Sequence, residues 1–291
     1  MKLKVSWASS RNRRKENQDN LSIGEQAAFP EGIDARHISG QVLLDIREEN
    51  EVLFAVADGM GGCTSGKYAA ASCLEGVRES FYSFYNTTTE AEEQTALCEP
   101  LHTRTTGEPP LPVLRPVSRL LPLKAASLLE HEEEAEPAPS RLMAATMEAR
   151  DALAETYRYV DGGCTLCAVS VCANGEVEWV SAGDSSIWLV RGKFNLINPL
   201  DNRYYFHKAL GLPADTREKS VLLNYLGAAD AELHTGNFSL HHGDTLVLCT
   251  DGVDLEKTLS RFLLKLNGSA DQLCTISNAS DNATAVVIRC V

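Results

Sequence analysis

Short apolar segments separated by turn residues limit the possible folds of this chain more than any other feature. Most of these segments are rich in valine, isoleucine, leucine and aromatic residues, which favour β-strands. Asn174 and Gly175 lie between two of them and predict a hairpin with a type I′ turn, because both residues tolerate positive φ. Consecutive strands joined by short turns form antiparallel sheets. The predicted strands cover residues 51–58, 164–172, 176–184, 186–192, 244–251 and 283–290.

Two further segments have the apolar spacing of an amphipathic helix. Residues 65–85 begin with a capping serine, and residues 141–159 repeat the same spacing. Between them, residues 86–140 are rich in proline, threonine and glutamate and would not build a core alone. We therefore expect one domain, residues 1–291, with a low-complexity surface insertion at about 86–140. The apolar and basic part of this insertion, residues 111–129, is compatible with a docking element or with a linker.

The charge of the chain limits its partners. The 291 residues carry a formal net charge of −13, so nucleic acid and anionic membranes would be repelled. The N-terminal MKLKVSWASS is too polar for a signal peptide, and no apolar run reaches the length of a membrane span. We therefore expect a cytoplasmic protein without a nucleic-acid partner or a membrane span.

The nine cysteines are typical of core thiols in a reducing compartment, because most lie in apolar segments. Cys164 and Cys167 form an isolated CxxC pair, which leaves redox or zinc chemistry open as an alternative. A strand through both residues would instead place them in the core.

Aspartate recurs at the ends of the predicted strands. Asp58 follows VLFAVA, Asp184 follows WVSAG, Asp251 follows TLVLCT, and Asp281 precedes NATAVVI. Acids on adjacent strands that share one end would converge, and they raise one another's pKa unless a cation lies between them. Oxygen ligands favour hard cations such as Mg²⁺ or Mn²⁺. One Asp-Gly is usually a turn, but four such aspartates and the N-terminal NQD ending at Asp19 indicate a metal site.

The segment after Asp58 permits a second interpretation. Residues 61–67 fit the G-x-x-x-x-G-K pattern of a nucleotide-binding loop. That loop requires serine or threonine after its lysine, whereas this chain has Tyr68, and it requires a parallel βαβ unit. Metal binding is therefore preferred, with Gly59, Gly61 and Gly62 letting the backbone approach the ions.

Seven pieces of the sequence, in chain order, resemble the metal-dependent serine/threonine protein phosphatases of type 2C in their compact bacterial form. The resemblance covers nearly the whole chain apart from the insertion. It implies an α+β fold, a four-layer αββα sandwich of two antiparallel sheets flanked by helix pairs, with a dinuclear Mn²⁺ or Mg²⁺ site at one end. The matching pieces are RKENQD at 14–19, VADGMGG at 56–62, GGCTLCAV at 162–169, SAGDSSIWLVRGK at 181–193, ALGL at 209–212, LCTDGV at 248–253 and SDNATAVVI at 280–288.

The resemblance also implies roles for individual metal ligands. Asp58 would bridge two ions, the Gly59 carbonyl would bind one of them, and Asp251 and Asp281 would complete the site. Asp19 would bind through a metal-bound water or orient it.

Three more residues receive roles from the resemblance. Arg14 would bind the substrate phosphate, with the rest of RNRRK forming either a positive patch or a solvated turn. Asp161 would help to hold a third, weaker metal ion, and Asp184 would be structural or would support the ligands. Two ions sharing a water would lower its pKa from about 15.7 toward about 7, and the resulting hydroxide would attack phosphorus without a covalent phospho-enzyme.

The implied activity is hydrolysis of phosphoserine and phosphothreonine in proteins, opposing a serine/threonine protein kinase. The sequence leaves two alternatives open. One is a catalytically silent module of the same fold that binds a phosphoprotein or another partner, and the other is a phosphomonoesterase for small molecules. Retention of Asp58, Asp251 and Asp281 favours an active enzyme over the silent module.

Four features depart from the family pattern. Met60 replaces the histidine of eukaryotic members, so metal-bound water would serve as the acid for the leaving group, and Gln18 replaces a glutamate of many members. Lys67 also replaces a glutamate, and its charge opposes the dipole at the helix start, so it either reaches solvent or contacts substrate phosphate. The segment between NPLDN and ALGL is very short where bacterial relatives place a mobile flap, which predicts an open cleft with weak discrimination among phosphopeptides.

Overall fold

The protein is described by a computed structural model covering residues 1–25, 29, 32–47, 50–60, 65–86, 138–253, 268–276 and 280–291. One compact unit comprises Met1–Thr88 and Pro139–Val291. The second unit, Thr89–Ala138, lies almost entirely outside the described residues, as does the possible docking element at 111–129. The insertion at about 86–140 therefore stays a prediction.

Two antiparallel sheets form the centre of the fold. The six-stranded sheet has the order β3-β1-β11-β10-β7-β8, and the five-stranded sheet has the order β2-β4-β5-β6-β9. All six predicted strands are present, and β1, β2, β3, β8 and β9 are additional. The strands are β1 Lys2–Ser10, β2 Asp19–Ile23, β3 His37–Asp45, β4 Glu51–Asp58, β5 Leu166–Cys172, β6 Glu176–Ala182, β7 Ser186–Arg191, β8 Lys193–Leu196, β9 His234–Ser239, β10 Thr245–Cys249 and β11 Ala283–Cys290.

Helices cover the outer faces of both sheets. The helices are α1 Gly66–Asn86, α2 Arg141–Thr156, α3 Arg203–Ala209 and α4 Ala270–Ile276, with a 3₁₀ helix at Thr216–Ser220. Helices α1 and α2 pack on the five-stranded sheet, and α4 packs on the six-stranded sheet. Residues 254–267, which precede α4, are outside the described part of the chain. The arrangement confirms the predicted α+β sandwich.

Strand β4 shows why the central strands are apolar on both sides. Phe54 and Val56 face the other sheet, whereas Leu53 and Ala55 face the helices, and all four are at most 1 % exposed. Burying one such large side chain contributes about 1.5–3 kcal/mol. The continuous apolar run before Asp58 therefore holds the end of β4 rigidly.

The hairpin between β5 and β6 corrects the predicted turn type. Gly175 has a φ of 88°, but Asn174 is not among the positive-φ residues that the structure describes, so the turn is not type I′. The Gly175 N–H donates to the Cys172 carbonyl at 3.0 Å, which closes a turn within a three-residue loop. The hairpin itself is present as predicted.

The CxxC pair is part of the core. Cys164 packs among the side chains beneath α1 and α2, whereas Cys167 packs between the sheets, so their thiols lie on opposite faces. This placement supports the core interpretation over a shared zinc or redox site. Within the described part of the chain, no helix is both long and apolar enough to cross a membrane.

Candidate active site

Five aspartates lie at one edge of the sandwich. Asp19 and Asp58 are paired residues on neighbouring strands β2 and β4. Asp251 follows β10 and Asp281 precedes β11, and these antiparallel neighbours therefore share that edge. Asp184 lies in the turn that leads from β6 to β7. The strand-end aspartates are thus brought together as the sequence indicated.

The pKa of Asp58 shows that these aspartates lie close together. Desolvation raises its pKa well above the usual value, and the negative charges of Asp19, Asp251, Asp184 and Asp281 raise it further. The main chain of Asp58 is fixed by Thr165, whose hydroxyl accepts from the Asp58 N–H at 3.0 Å and whose N–H donates to the Asp58 carbonyl at 2.8 Å.

Gly59 is required by close packing of three backbone segments. A Cβ atom there would lie 2.2 Å from the Gly66 carbonyl oxygen and 2.8 Å from that of Gln18. The start of α1 therefore passes directly against the end of β4. This is a packing reason for the glycine, in addition to the metal contact expected of its carbonyl. Gly61 and Gly62 lie outside the described residues.

Asp19 is the most enclosed of the acids. It is 1 % exposed, and desolvation raises its pKa to about 7 despite the hydrogen bond from Thr250. The Thr250 hydroxyl donates to Oδ2 at 2.8 Å, whereas the buried Oδ1 has no hydrogen-bond partner among the residues that the structure describes.

Arg14 and Asp281 form an ion pair at the rim of the edge. Their side chains are 47 % and 35 % exposed, and Nη2 of Arg14 lies 2.7 Å from Oδ2 of Asp281. The hydrogen bond to Asp281 raises the pKa of Arg14. The predicted phosphate-binding residue therefore contacts a predicted metal ligand directly.

Asp251 is exposed as a residue, but the protein around its carboxyl group desolvates that group and raises its pKa. The negative charge of Asp281 raises the pKa of Asp251 further.

Polar residues that the sequence did not single out hold these acids in place. Buried Asn282 accepts from the Gln18 N–H at 2.9 Å and donates to the carbonyls of Arg11 and Glu16, which ties the N-terminal loop to the start of β11. Asn202 donates to Oδ2 of Asp184 at 3.1 Å. Their only signal in the sequence is that each directly follows an aspartate, so a pattern search for acids would not find them.

Asp161 is not joined to the cluster by any contact among the described residues. Its side chain is exposed, two residues before Gly163, whose carbonyl accepts from the Met60 N–H at 3.0 Å. Its role at a third ion stays a prediction.

Lys67 occupies neither of the two positions expected for it. Its side chain is only 13 % exposed and forms an ion pair with Asp34. The lysine therefore packs across the surface and does not reach into solvent or toward the acidic edge. Strand β4 also lies between antiparallel neighbours, β2 and β5, so the parallel setting of a nucleotide-binding loop is absent at β4, the described strand that precedes Lys67.

The segment between NPLDN and ALGL, residues 203–208, is short as the sequence indicated, and helix α3 occupies it. The whole connection between β8 and β9, residues 197–233, also carries the 3₁₀ helix. The open, weakly selective cleft stays a prediction. The ALGL piece at 209–212 is the exposed end of α3. Leu226 and Gly227, further along the same connection, are buried, and Leu226 bridges to Cys164 beside Gly59.

The donor atoms at the acidic edge are of the type that divalent cations bind. They are carboxylate oxygens, which hard cations prefer, and they include the unpartnered Oδ1 of Asp19. Within the described ranges, however, no three histidine, cysteine, aspartate or glutamate side chains form a ready-made metal site. The edge therefore supplies suitable donor atoms, and the metal site itself stays a prediction.

Comparisons with known proteins agree with this architecture. The sequence model of the protein phosphatase 2C family matches residues 41–283. The serine/threonine phosphatase PstP/Ppp of Mycobacterium tuberculosis is 18% identical, with 99% of each chain covered and a TM-score of 0.63. The catalytic domain of PstP in complex with two manganese ions is 20% identical, with 99% of this chain and 98% of that chain covered and a TM-score of 0.61. Stp1 of Staphylococcus aureus is 16% identical, with 98% and 94% covered and a TM-score of 0.63. No curated protein matches the chain.

Proposed function

Because the chain belongs to the protein phosphatase 2C family of serine/threonine phosphatases, we propose that it hydrolyses phosphoserine and phosphothreonine in proteins with two bound Mn²⁺ or Mg²⁺ ions. The observation that carries this proposal is the meeting of five aspartates at one edge of the sandwich. Such a concentration of negative charge is stable at neutral pH when cations lie between the acids. A serine/threonine kinase would supply the phosphorylated substrate.

The residues at the acidic edge would have different roles. Asp58, Asp251, Asp281 and the Gly59 carbonyl would hold the ions, and Asp19, fixed by Thr250, would orient a water. When bound, the ions supply a water of lowered pKa and neutralise charge on the phosphoryl oxygens.

Arg14 would bind the phosphate from the rim of the edge. Its guanidinium is 47 % exposed, so an arriving phosphate can reach it. Guanidinium groups bind phosphate through paired, charge-assisted hydrogen bonds. Because Asp281 already accepts from Arg14, the arginine is held beside the proposed ions.

The test is hydrolysis of a chromogenic phosphomonoester at neutral pH with Mn²⁺, Mg²⁺ or chelator. We expect metal-dependent turnover that Asp251→Asn lowers at least about a hundredfold, since ligand loss weakens metal binding. Asp271→Asn is the matched control, because Asp271 lies on α4 and pairs with His37 outside the cluster. Turnover that survives Asp251→Asn would contradict the proposed site.

Two further results would select another function. If the wild type binds metal by calorimetry but turns over neither the chromogenic substrate nor a phosphoprotein, the silent binding module is favoured. If small phosphomonoesters are hydrolysed but phosphoproteins are not, the chain is a small-molecule phosphatase.

A further inference from the structure

A polar cleft lies on the outer face of the six-stranded sheet, beside the start of α4. Its volume is about 80 Å³, several times the space that one water molecule needs. Strands β1, β3 and β11 supply most of its residues, and residues 268 and 269, directly before α4, complete it. The polar side chains that line the cleft are those of Lys4, Ser6, Gln41, Ser269 and Arg289.

The cleft is separate from the proposed active site. Arg289 lies six residues along β11 from Ala283, the residue at which this strand leaves the acidic edge. At about 3.3 Å per strand residue, the two positions are about 20 Å apart. A ligand of the cleft is therefore not the phosphoryl group that is removed at the edge.

Two cations of the cleft occupy directly opposed positions. Lys4 of β1 and Arg289 of β11 are paired residues on neighbouring antiparallel strands. Side chains in such positions lie on the same face, with Cβ atoms about 5 Å apart. Like charges in directly opposed positions destabilise a sheet. The pair is therefore unfavourable unless an anion lies beside it.

The surrounding strands supply no carboxylate to this pair. On their other sides, Lys4 is opposite a leucine of β3 and Arg289 is opposite a threonine of β10. Asp45 is the only acid in the sequences of β1, β3 and β11, and it is opposite Lys2. Across the described part of the chain, neither Lys4 nor Arg289 forms an ion pair.

The Arg289 guanidinium is held in place and partly removed from water. Its Nη2 donates to the Gly268 carbonyl. The surrounding protein desolvates the guanidinium and so lowers the pKa of Arg289. A desolvated cation costs free energy unless hydrogen bonds or an anion compensate it. Because a guanidinium has five N–H groups, this single carbonyl leaves the others without an acceptor among the described residues.

Two serine hydroxyls add neutral donors to the cleft. The Ser6 hydroxyl accepts from the Ala270 N–H at 3.1 Å, and the Ser269 hydroxyl accepts from the Gln272 N–H at 3.4 Å. A hydroxyl that accepts still has its own hydrogen to donate. Oxyanions accept several hydrogen bonds at once, and arginine binds phosphate through paired N–H groups.

We propose that this cleft binds a small oxyanion of the phosphate class, held by Arg289, Lys4 and the two serine hydroxyls. The inference goes beyond the phosphatase reaction and does not rest on it. A bound oxyanion would remove the repulsion between Lys4 and Arg289 and would link β1 and β11 to the residues before α4. It should therefore stabilise the folded chain in proportion to its occupancy.

Calorimetric titration of the full chain with sodium phosphate, with Mg²⁺ present and at constant ionic strength, tests the proposal. Wild type and Arg14→Ala are both titrated, because loss of Arg14 weakens phosphate binding at the proposed active site and leaves the cleft unchanged. We expect saturable phosphate binding that persists in Arg14→Ala. A second titration uses methylphosphonate. Binding of phosphate alone indicates a free inorganic ion as the ligand, and binding of both indicates the phosphoryl group of a larger molecule.

Variants made in the Arg14→Ala protein assign the binding to the cleft. Lys4→Met should weaken phosphate binding about two- to fivefold, and Arg289→Met at least about tenfold. Lys2→Met is the matched control, because Lys2 lies on the same face of β1 but opposite Asp45, and it should leave the binding unchanged.

Lys4→Met keeps the test decisive if Arg289→Met, which also loses the contact with Gly268, fails to fold, because the Lys4 side chain is exposed. Absence of phosphate binding in Arg14→Ala, or equal binding by Lys4→Met and Lys2→Met, would overturn the inference. Failure of the phosphatase proposal would show separately, as absent turnover of the chromogenic phosphomonoester.

Discussion

The Thr250 hydroxyl donates a 2.8 Å hydrogen bond to Oδ2 of Asp19 and so joins the two sheets at the acidic edge. Asp19 begins β2 of the five-stranded sheet, and Thr250 directly follows β10 of the six-stranded sheet. Both residues are at most 1 % exposed, and the Thr250 oxygen also accepts from the Thr284 N–H at 3.0 Å. This contact fixes the acids of one sheet relative to those of the other.

Thr250→Val should destabilise the protein by about 1–3 kcal/mol. The substitution keeps the shape of the side chain but leaves the buried Asp19 carboxyl and the Thr284 N–H without their partner. Thr250→Ser, which keeps the hydroxyl, should cost clearly less. Urea unfolding with chelator present measures both variants, and equal losses would show that the hydroxyl contributes nothing.

The metal-free protein should lose stability as the pH rises from about 4 to about 7. Desolvation raises the pKa of Asp184 to about 7, and that of Asp19 to about 7 as well. The folded chain therefore binds more protons than the unfolded chain in this range, and the free energy of unfolding falls with rising pH. A tenfold difference in the dissociation constant of one such group corresponds to about 1.4 kcal/mol.

Asp184→Asn should flatten this pH dependence, because the amide keeps an acceptor for Asn202 without titrating. Asp215→Asn is the control. The hydrogen bond from Arg217 lowers the pKa of exposed Asp215, so the contribution of Asp215 to the free energy of unfolding does not change between pH 5 and 8. Thermal unfolding with chelator at several pH values measures the slopes. The explanation is wrong if wild type and Asp184→Asn lose stability equally.

Gly252→Ala should be severely destabilising. A Cβ atom at Gly252 would lie 1.7 Å from the Asn282 carbonyl oxygen, so the backbone itself would have to move. We expect a loss of at least about 3 kcal/mol. Gly76→Ala is the matched control. Gly76 lies within helix α1, where alanine is favoured, and its added Cβ would lie 3.5 Å from Ala149 of α2, an ordinary contact distance. Chemical denaturation compares the two, and similar stabilities would contradict the packing argument.

Arg14→Ala should raise KM and lower kcat/KM roughly ten- to a hundredfold without weakening Mn²⁺ binding. The arginine is proposed to bind phosphate, and its loss removes a cation that competes for Asp281. Arg13→Ala removes the same charge from the neighbouring exposed position and should have little effect. Unaltered kinetics in Arg14→Ala would exclude the arginine from the site.

The sequence predicted the strands whose two faces are both buried, since these are continuous apolar runs such as β4. It missed strands of other kinds. β3 and β9 lie at sheet edges and alternate in exposure, and β2 is polar in sequence although nearly all of it is buried. Its residues Asp19 and Asn20 are buried because of hydrogen bonds that become visible only in the folded chain.

The aspartates of the site could be predicted from the sequence because aspartates recur at strand ends. The residues that hydrogen-bond to these aspartates could not be predicted. Thr250 and Asn202 act through single hydrogen bonds across the fold and follow no periodicity. The ALGL piece matched the family pattern in sequence, and the structure places it at the exposed end of α3. Leu226, which the sequence did not single out, is buried and bridges to Cys164 beside Gly59, and such burial depends on contacts across the fold.

The central claim is that the aspartates at this edge bind divalent cations, and calorimetric titration of chelator-treated protein with Mn²⁺ tests it most directly. Asp58→Asn is the decisive variant, because removing a charge that its neighbours repel should leave the metal-free fold intact. We predict saturable binding of about two ions by the wild type and loss of most of the heat in Asp58→Asn. Absence of binding by the wild type, or equal binding by the variant, would contradict the account.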